Sequence, residues 1–142
     1  MSPEFESSAA RLRHSALQHG LAGQAAQEGP VVPRAKAFLQ DAREIQLAAH
    51  RAGIPGDEVA KLRSDAIDIV IDALYLRAGP AAASLTLVAT GGYGRAELCP
   101  LSDIDLLVLV PAHTAETKQA VETILYPLWD VGLKVGQSVR TV

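Results

Sequence analysis

A glycine pair followed at short range by an Asp-apolar-Asp triplet, set between two apolar runs, governs what this chain can fold into. The stretch reads Gly91-Gly92-Tyr93-Gly94-Arg95-Ala96-Glu97-Leu98-Cys99-Pro100-Leu101-Ser102-Asp103-Ile104-Asp105. Residues 84–90 enter the glycines and residues 103–110 carry the acids, and both runs read as strands. Side chains alternate along a strand, so Asp103 and Asp105 share one face while Ile104 points into a core. Two neighbouring carboxylates repel unless a cation or a basic partner relieves them. Mg²⁺ suits such a pair, because it prefers oxygen ligands and is commonly shared between carboxylates and substrate phosphates. A tight glycine turn lets backbone N–H groups reach those phosphates. The plain alternative is an ordinary turn and two solvated acids; the combination at this spacing points instead to a nucleotide and a metal.

The remaining pattern frames that motif. Residues 1–33 are weakly patterned; residues 7–18 can form a helix, but Gly20, Gly23, Gly29, Pro30 and Pro33 suggest a partly flexible lead-in. Residues 34–79 read as a helical hairpin. Phe38, Ala42, Ile45 and Ala49 mark its first helix, and Val59, Leu62, Ala66, Ile69, Ala73 and Leu76 its second, with Asp57 expected as cap. Residues 80–142 then form a partial sheet with flanking helices, in an α/β (α+β) arrangement. Thr114 caps a helix carrying Val121, Ile124, Leu125 and Leu128; Pro127 predicts a kink or early end, and Gly132 a C-cap. Residues 133–142 make a third strand, which Gly136 weakens.

Composition narrows the function. In 142 residues, 49% apolar, there is room for one ordinary domain. The net charge is −3, with no basic block, so nucleic acid is a poor partner. A protein substrate and a small nucleotide fit better. No apolar stretch is long enough to span a membrane, and the N-terminus lacks the basic and apolar regions of a signal peptide, so a cytoplasmic location is expected. The single cysteine, Cys99, allows no intrachain disulfide and reads as a small buried thiol. His14, His19, His50 and His113 are scattered, read as surface residues, and make no hydrolase metal pattern.

The glycine and Asp-x-Asp segment resembles the signature of the DNA polymerase β-type nucleotidyltransferases: a small-residue pair, a short connection, then Asp-apolar-Asp or Glu. Within them it is most similar to bacterial PII-protein uridylyltransferases, bifunctional enzymes that also remove uridylyl groups. The resemblance extends through Tyr126-Pro127-Leu128-Trp129-Asp130, Gly132-Leu133-Lys134-Val135-Gly136 and Ser138-Val139-Arg140-Thr141. Leu98, Ser102 and Ile104, and the Tyr-Gly-Arg after the glycine pair, separate it from the patterns of glutamine synthetase adenylyltransferases and of CBS-linked nucleotidyltransferases.

The resemblance implies Mg²⁺-dependent transfer of UMP from UTP to a tyrosine of the PII protein, a reaction that reports nitrogen status. Glutamine would regulate it only through domains not in this sequence. Asp103 and Asp105 would be catalytic metal ligands, and Gly91 and Gly92 would bring amides to the triphosphate. Arg95 pairs either with phosphate or with Glu97. Ser102 bonds phosphate or orients its loop. Lys134, Ser138 and Arg140 share one side of the third strand if even-numbered residues face together, and Lys134 and Arg140 are candidate nucleotide contacts. Tyr93 and Trp129 read as packing residues. The family's third carboxylate, on a further strand, has no counterpart after Gly132; Glu116, Glu122 and Asp130 lie on or beside a helix. The HD-type and ACT domains are also missing, so the sequence reads as an N-terminal fragment. A catalytically silent nucleotide-binding piece, or an adenylyltransferase of a protein or small molecule, are the alternative readings.

Overall fold

The structure, a computed structural model, describes residues 1–23 and 28–142. Three long helices come first: α1 (Pro3–Gln18), α2 (Val31–Arg51) and α3 (Gly56–Arg77). A 3₁₀ segment (Gly79–Ser84) leads into β1 (Thr86–Thr90), followed by the single-turn α4 (Gly91–Gly94), β2 (Ile104–Val110), α5 (Ala115–Asp130) and β3 (Val135–Thr141). The α/β class and the helical hairpin of α2 and α3 are therefore as expected.

The N-terminal segment differs from its reading as a flexible lead-in. Ser2 caps α1 by accepting a hydrogen bond from the Phe5 amide, and Pro3 occupies the first turn, where its missing N–H costs nothing. Phe5, Ala9, Leu12 and Ala16 recur at helical spacing and are buried in the common core. Polar bonds add to this: Ser2 Oγ donates to Glu58 at 2.5 Å, and Ser15 Oγ donates to Asp41 at 2.8 Å. His19 also meets Asp41 at 2.8 Å, which makes it half-buried and partnered, while the other three histidines are exposed. The glycines end the helix rather than dissolve it. Residues 24–27 of the lead-in lie outside the described residues.

α1, α2 and α5 all stop in the same way. After α5 the Gly132 amide bonds the Trp129 carbonyl and the Leu133 amide bonds that of Leu128, with Gly132 at φ +88°. That is the Schellman arrangement, which needs a left-handed residue. Thr114 caps the front of α5 through a reciprocal bond with Thr117, as anticipated. One other expectation fails, and of the two effects expected of Pro127 the early end does not occur. Asp57 is not the cap of α3: Pro55 holds that position without a side-chain bond, and Asp57 sits one residue inside, where its charge favours the helix N-terminus. Pro127 does not end α5, which runs on to Asp130. The carbonyl left without an N–H partner belongs to Thr123, which is exposed, so solvent can serve it.

The sheet has the order β1-β2-β3, with β1 antiparallel and β3 parallel to β2. Ile104, Leu106, Val108 and Val110 of β2 point into the core shared with α3 and α5. Residues 103, 105, 107 and 109 face the other way, where Asp103 and Asp105 are exposed and Leu107 and Leu109 only partly buried. This one-sided packing explains the period-2 pattern of β2 and leaves the carboxylates on the uncovered face.

Candidate functional site

The strand register assembles the uncovered face row by row. Thr90, Asp105 and Gly136 form one row across β1, β2 and β3. Asp103 precedes β2 beside Lys134, since Ile104 pairs with Val135. Val88, Leu107 and Ser138 make the next row, and Thr86, Leu109 and Arg140 the one after. Paired residues point to the same side, so Lys134, Ser138 and Arg140 share the face of the two acids. Arg140 lies four residues along from the Asp105 row, about 13 Å away at the usual strand rise. Lys134 is therefore near the acids and Arg140 is not.

Asp105 is held between two glycines. Gly91 follows β1 directly and has φ +59°; a Cβ there would stand 2.5 Å from Asp105 Oδ2. A Cβ at Gly136 would stand 3.0 Å from Asp105 Oδ1. One carboxylate thus fills the hollow that two missing side chains leave. Gly136 reads from sequence as a weak point in a strand, yet here it gives Asp105 its room; a glycine opposite an acid in a parallel pair is the signal, visible only once the register is known. Gly94 is needed for a different reason, because a Cβ would meet the Ala89 carbonyl oxygen at 2.6 Å. That close approach folds the turn back onto β1.

Neither Asp103 nor Asp105 forms an ion pair or a side-chain hydrogen bond among the described residues. Two exposed, uncompensated carboxylates, one of them carried by a paired strand, suit a hard divalent cation shared with phosphate. They are only a pair: among the described residues no third acid, histidine or cysteine joins them. Glu116, Glu122 and Asp130 stay on α5, where Glu122 lies 3.7 Å from Lys118.

The glycine turn is anchored from below. Tyr93 is buried, and its hydroxyl donates to Asp68 of α3 at 2.5 Å. Burial first, then the bond to Asp68, push the phenol far above its ordinary range. Desolvation raises the Asp68 carboxyl, and the tyrosine bond partly offsets that. Tyr93 is thus a packing residue with a polar tether, which sequence spacing alone did not reveal. Arg95 donates to Glu97 at 3.1 Å, on an exposed surface. Ser102 is exposed in the loop before Asp103, and its side chain makes no bond there among the described residues. Cys99 is exposed rather than buried, because the Leu98 next to it takes the inward position. Trp129 is partly exposed and lies 5.7 Å from Tyr126, ring to ring.

A Tyr93→Phe variant is expected to lose about 1 kcal/mol of stability at neutral pH. Its Asp68 should titrate higher still, read by carboxyl NMR. The tyrosine bond favours the charged carboxylate, so its contribution is present above the Asp68 pKa and fades as pH falls through it. The two proteins should accordingly converge in stability in acid.

Residues 78–141 match the nucleotidyltransferase domain family. The chain is 39% identical over 123 residues to a bifunctional uridylyltransferase/uridylyl-removing enzyme of Azospirillum brasilense, covering 79% of this chain and 13% of that protein. It is 37% identical over 142 residues to the protein of the same description from Phenylobacterium zucineum, covering 93% and 15%. The Burkholderia orbicola protein is 48% identical over 85 residues, covering 59% and 9%. The chain thus spans well under a fifth of the length of these relatives. No solved structure matches it. No helix among the described residues is long and apolar enough to cross a membrane.

Proposed function

We propose that this chain, by family a nucleotidyltransferase over residues 78–141, serves transfer of UMP from UTP to a tyrosine of a PII signalling protein. What carries the reading is the row Thr90–Asp105–Gly136, with Gly91 against the same carboxylate. The names of its relatives supply the uridylyl group.

In this reading Asp103 and Asp105 hold Mg²⁺, and Gly91 and Gly92 present backbone amides to the triphosphate. Bound Mg²⁺ supplies charge neutralisation for in-line displacement at the α-phosphate, with pyrophosphate as leaving group. Asp105, seated between its glycines, fixes where the triphosphate sits. Lys134, beside Asp103, adds positive charge at the same end of the strand. Arg95 is free to exchange Glu97 for phosphate, since an exposed ion pair is worth under about 1 kcal/mol. Arg140 is too far along β3 for the first phosphates and suits the more distant part of a bound substrate. The tyrosine hydroxyl of the acceptor attacks from the uncovered face.

Calorimetry with UTP, ATP and CTP, each with and without Mg²⁺, tests this. Metal-dependent binding with UTP preferred by tenfold or more is the expected result. Equal binding of ATP would favour an adenylyltransferase. Metal-dependent UTP binding without label transfer from UTP to PII would make this stretch a nucleotide-binding piece only.

A further inference from the structure

A second cleft, of about 600 Å³, opens on the helical side of the sheet between α2, α3, the loop 99–102 and the turn 132–134. The basic side chains lining it are Arg43, His50 and Arg63; Lys134 borders it just ahead of β3, Ser102 and Gln46 are neutral hydrogen-bonding groups, and no aspartate or glutamate lines it among the described residues. Arg43 and Arg63 come from different helices, and nothing in helix packing requires two arginines to converge there. Arg63 is half-buried, and its Nε is shielded from solvent without a hydrogen-bond partner among the described residues. Burial, and then the charge of Arg43, lower its pKa. Neither arginine, nor Lys134, forms an ion pair with an acid among the described residues. The first turn of α3 also borders the cleft through Gly56, and no side chain caps that turn. Converging cations held without counter-charge favour an anion, and paired guanidinium groups match phosphate oxygens in geometry. The volume lies within the usual range for small-molecule sites, and Leu47, Val59 and Leu133 give it an apolar wall.

We propose that this cleft binds the phosphate groups of a phosphorylated small molecule, separately from the Asp103–Asp105 pair. Ser102 and Lys134 border both sites, but the arginines that carry this one are not metal ligands, so the two readings can fail separately.

The test is calorimetry of the chain with inorganic pyrophosphate in the presence of a metal chelator. Binding is expected without metal. It should weaken at least tenfold in Arg43→Gln/Arg63→Gln and remain unchanged in Asp103→Asn/Asp105→Asn. Arg43 is exposed, so Arg43→Gln alone should fold and should still weaken binding several-fold. Circular dichroism checks that each variant is folded. Absence of metal-free binding by the folded chain would overturn the proposal, as would binding indifferent to both arginines. UTP added to the aspartate variant under chelation identifies the source of the phosphate. Displacement of pyrophosphate would show that the cleft takes a nucleotide tail, and simultaneous binding that it takes a separate phosphorylated ligand; both results keep the site.

Discussion

Asp105→Asn is expected to weaken Mg²⁺-dependent UTP binding on the order of 100-fold or more, and Asp103→Asn by clearly less. Asparagine keeps the shape of aspartate but removes the charge and one of the two acceptor oxygens. The asymmetry comes from position. Asp105 lies inside β2, in the room left by Gly91 and Gly136, so its backbone is placed by the sheet before any ligand arrives. Asp103 lies in the loop ahead of the strand, exposed, and has to be ordered on binding. Neither carboxylate has a protein partner among the described residues, so stability should change by no more than about 0.5 kcal/mol. Calorimetry and denaturant titration on both single variants separate the two effects. Parental Mg²⁺–UTP affinity in Asp105→Asn would refute the metal assignment.

Phe38→Ala should produce the largest loss of stability, about 3–5 kcal/mol. Phe38 is 0% exposed and lies on α2 within the core that joins α1 and α3 to the sheet. A benzyl side chain removed there leaves a cavity among helices that are too well tied to close over it: Ser2 bonds Glu58, and Asp41 is bonded by both Ser15 and His19. A typical domain is stable by roughly 5–15 kcal/mol, so such a loss approaches the whole margin. Urea denaturation of the two proteins measures it. A shift below about 1 kcal/mol would mean that the three helices do not share one cooperative unit with the sheet.

Much of this architecture is written in short-range pattern. The alternation of β2 placed Asp103 and Asp105 opposite Ile104 and Leu106 without reference to any other strand. Thr114 and Gly132 announced both ends of α5 by local chemistry, and Phe38, Ala42, Ile45 and Ala49 announced the buried face of α2. Features that depend on register or on convergence were not legible. Gly136 means something only when it stands opposite Asp105, and a parallel pairing joined through α5 cannot be counted off along the chain. Tyr93 and Asp68, like Arg43 and Arg63, meet because helices pack, and their spacing in sequence carries no trace of it. Asp57 misleads as the cap of α3 because it is a strong local signal, while Pro55 starts the helix through backbone shape alone. The spacing of Phe5, Ala9, Leu12 and Ala16 in α1 is obscured by the glycines and prolines that follow the helix.

The seat of Asp105 between Gly91 and Gly136 also constrains how this sequence can change over time. Position 91 is restricted twice over, by its left-handed backbone and by the nearby carboxylate, while a side chain at position 136 would have to displace that carboxylate by a few tenths of an ångström. The three positions therefore do not drift independently. A side chain gained at 136 would shift the acid at 105 away from Gly91 and the metal position, so substitution at one of the three positions changes what the other two tolerate.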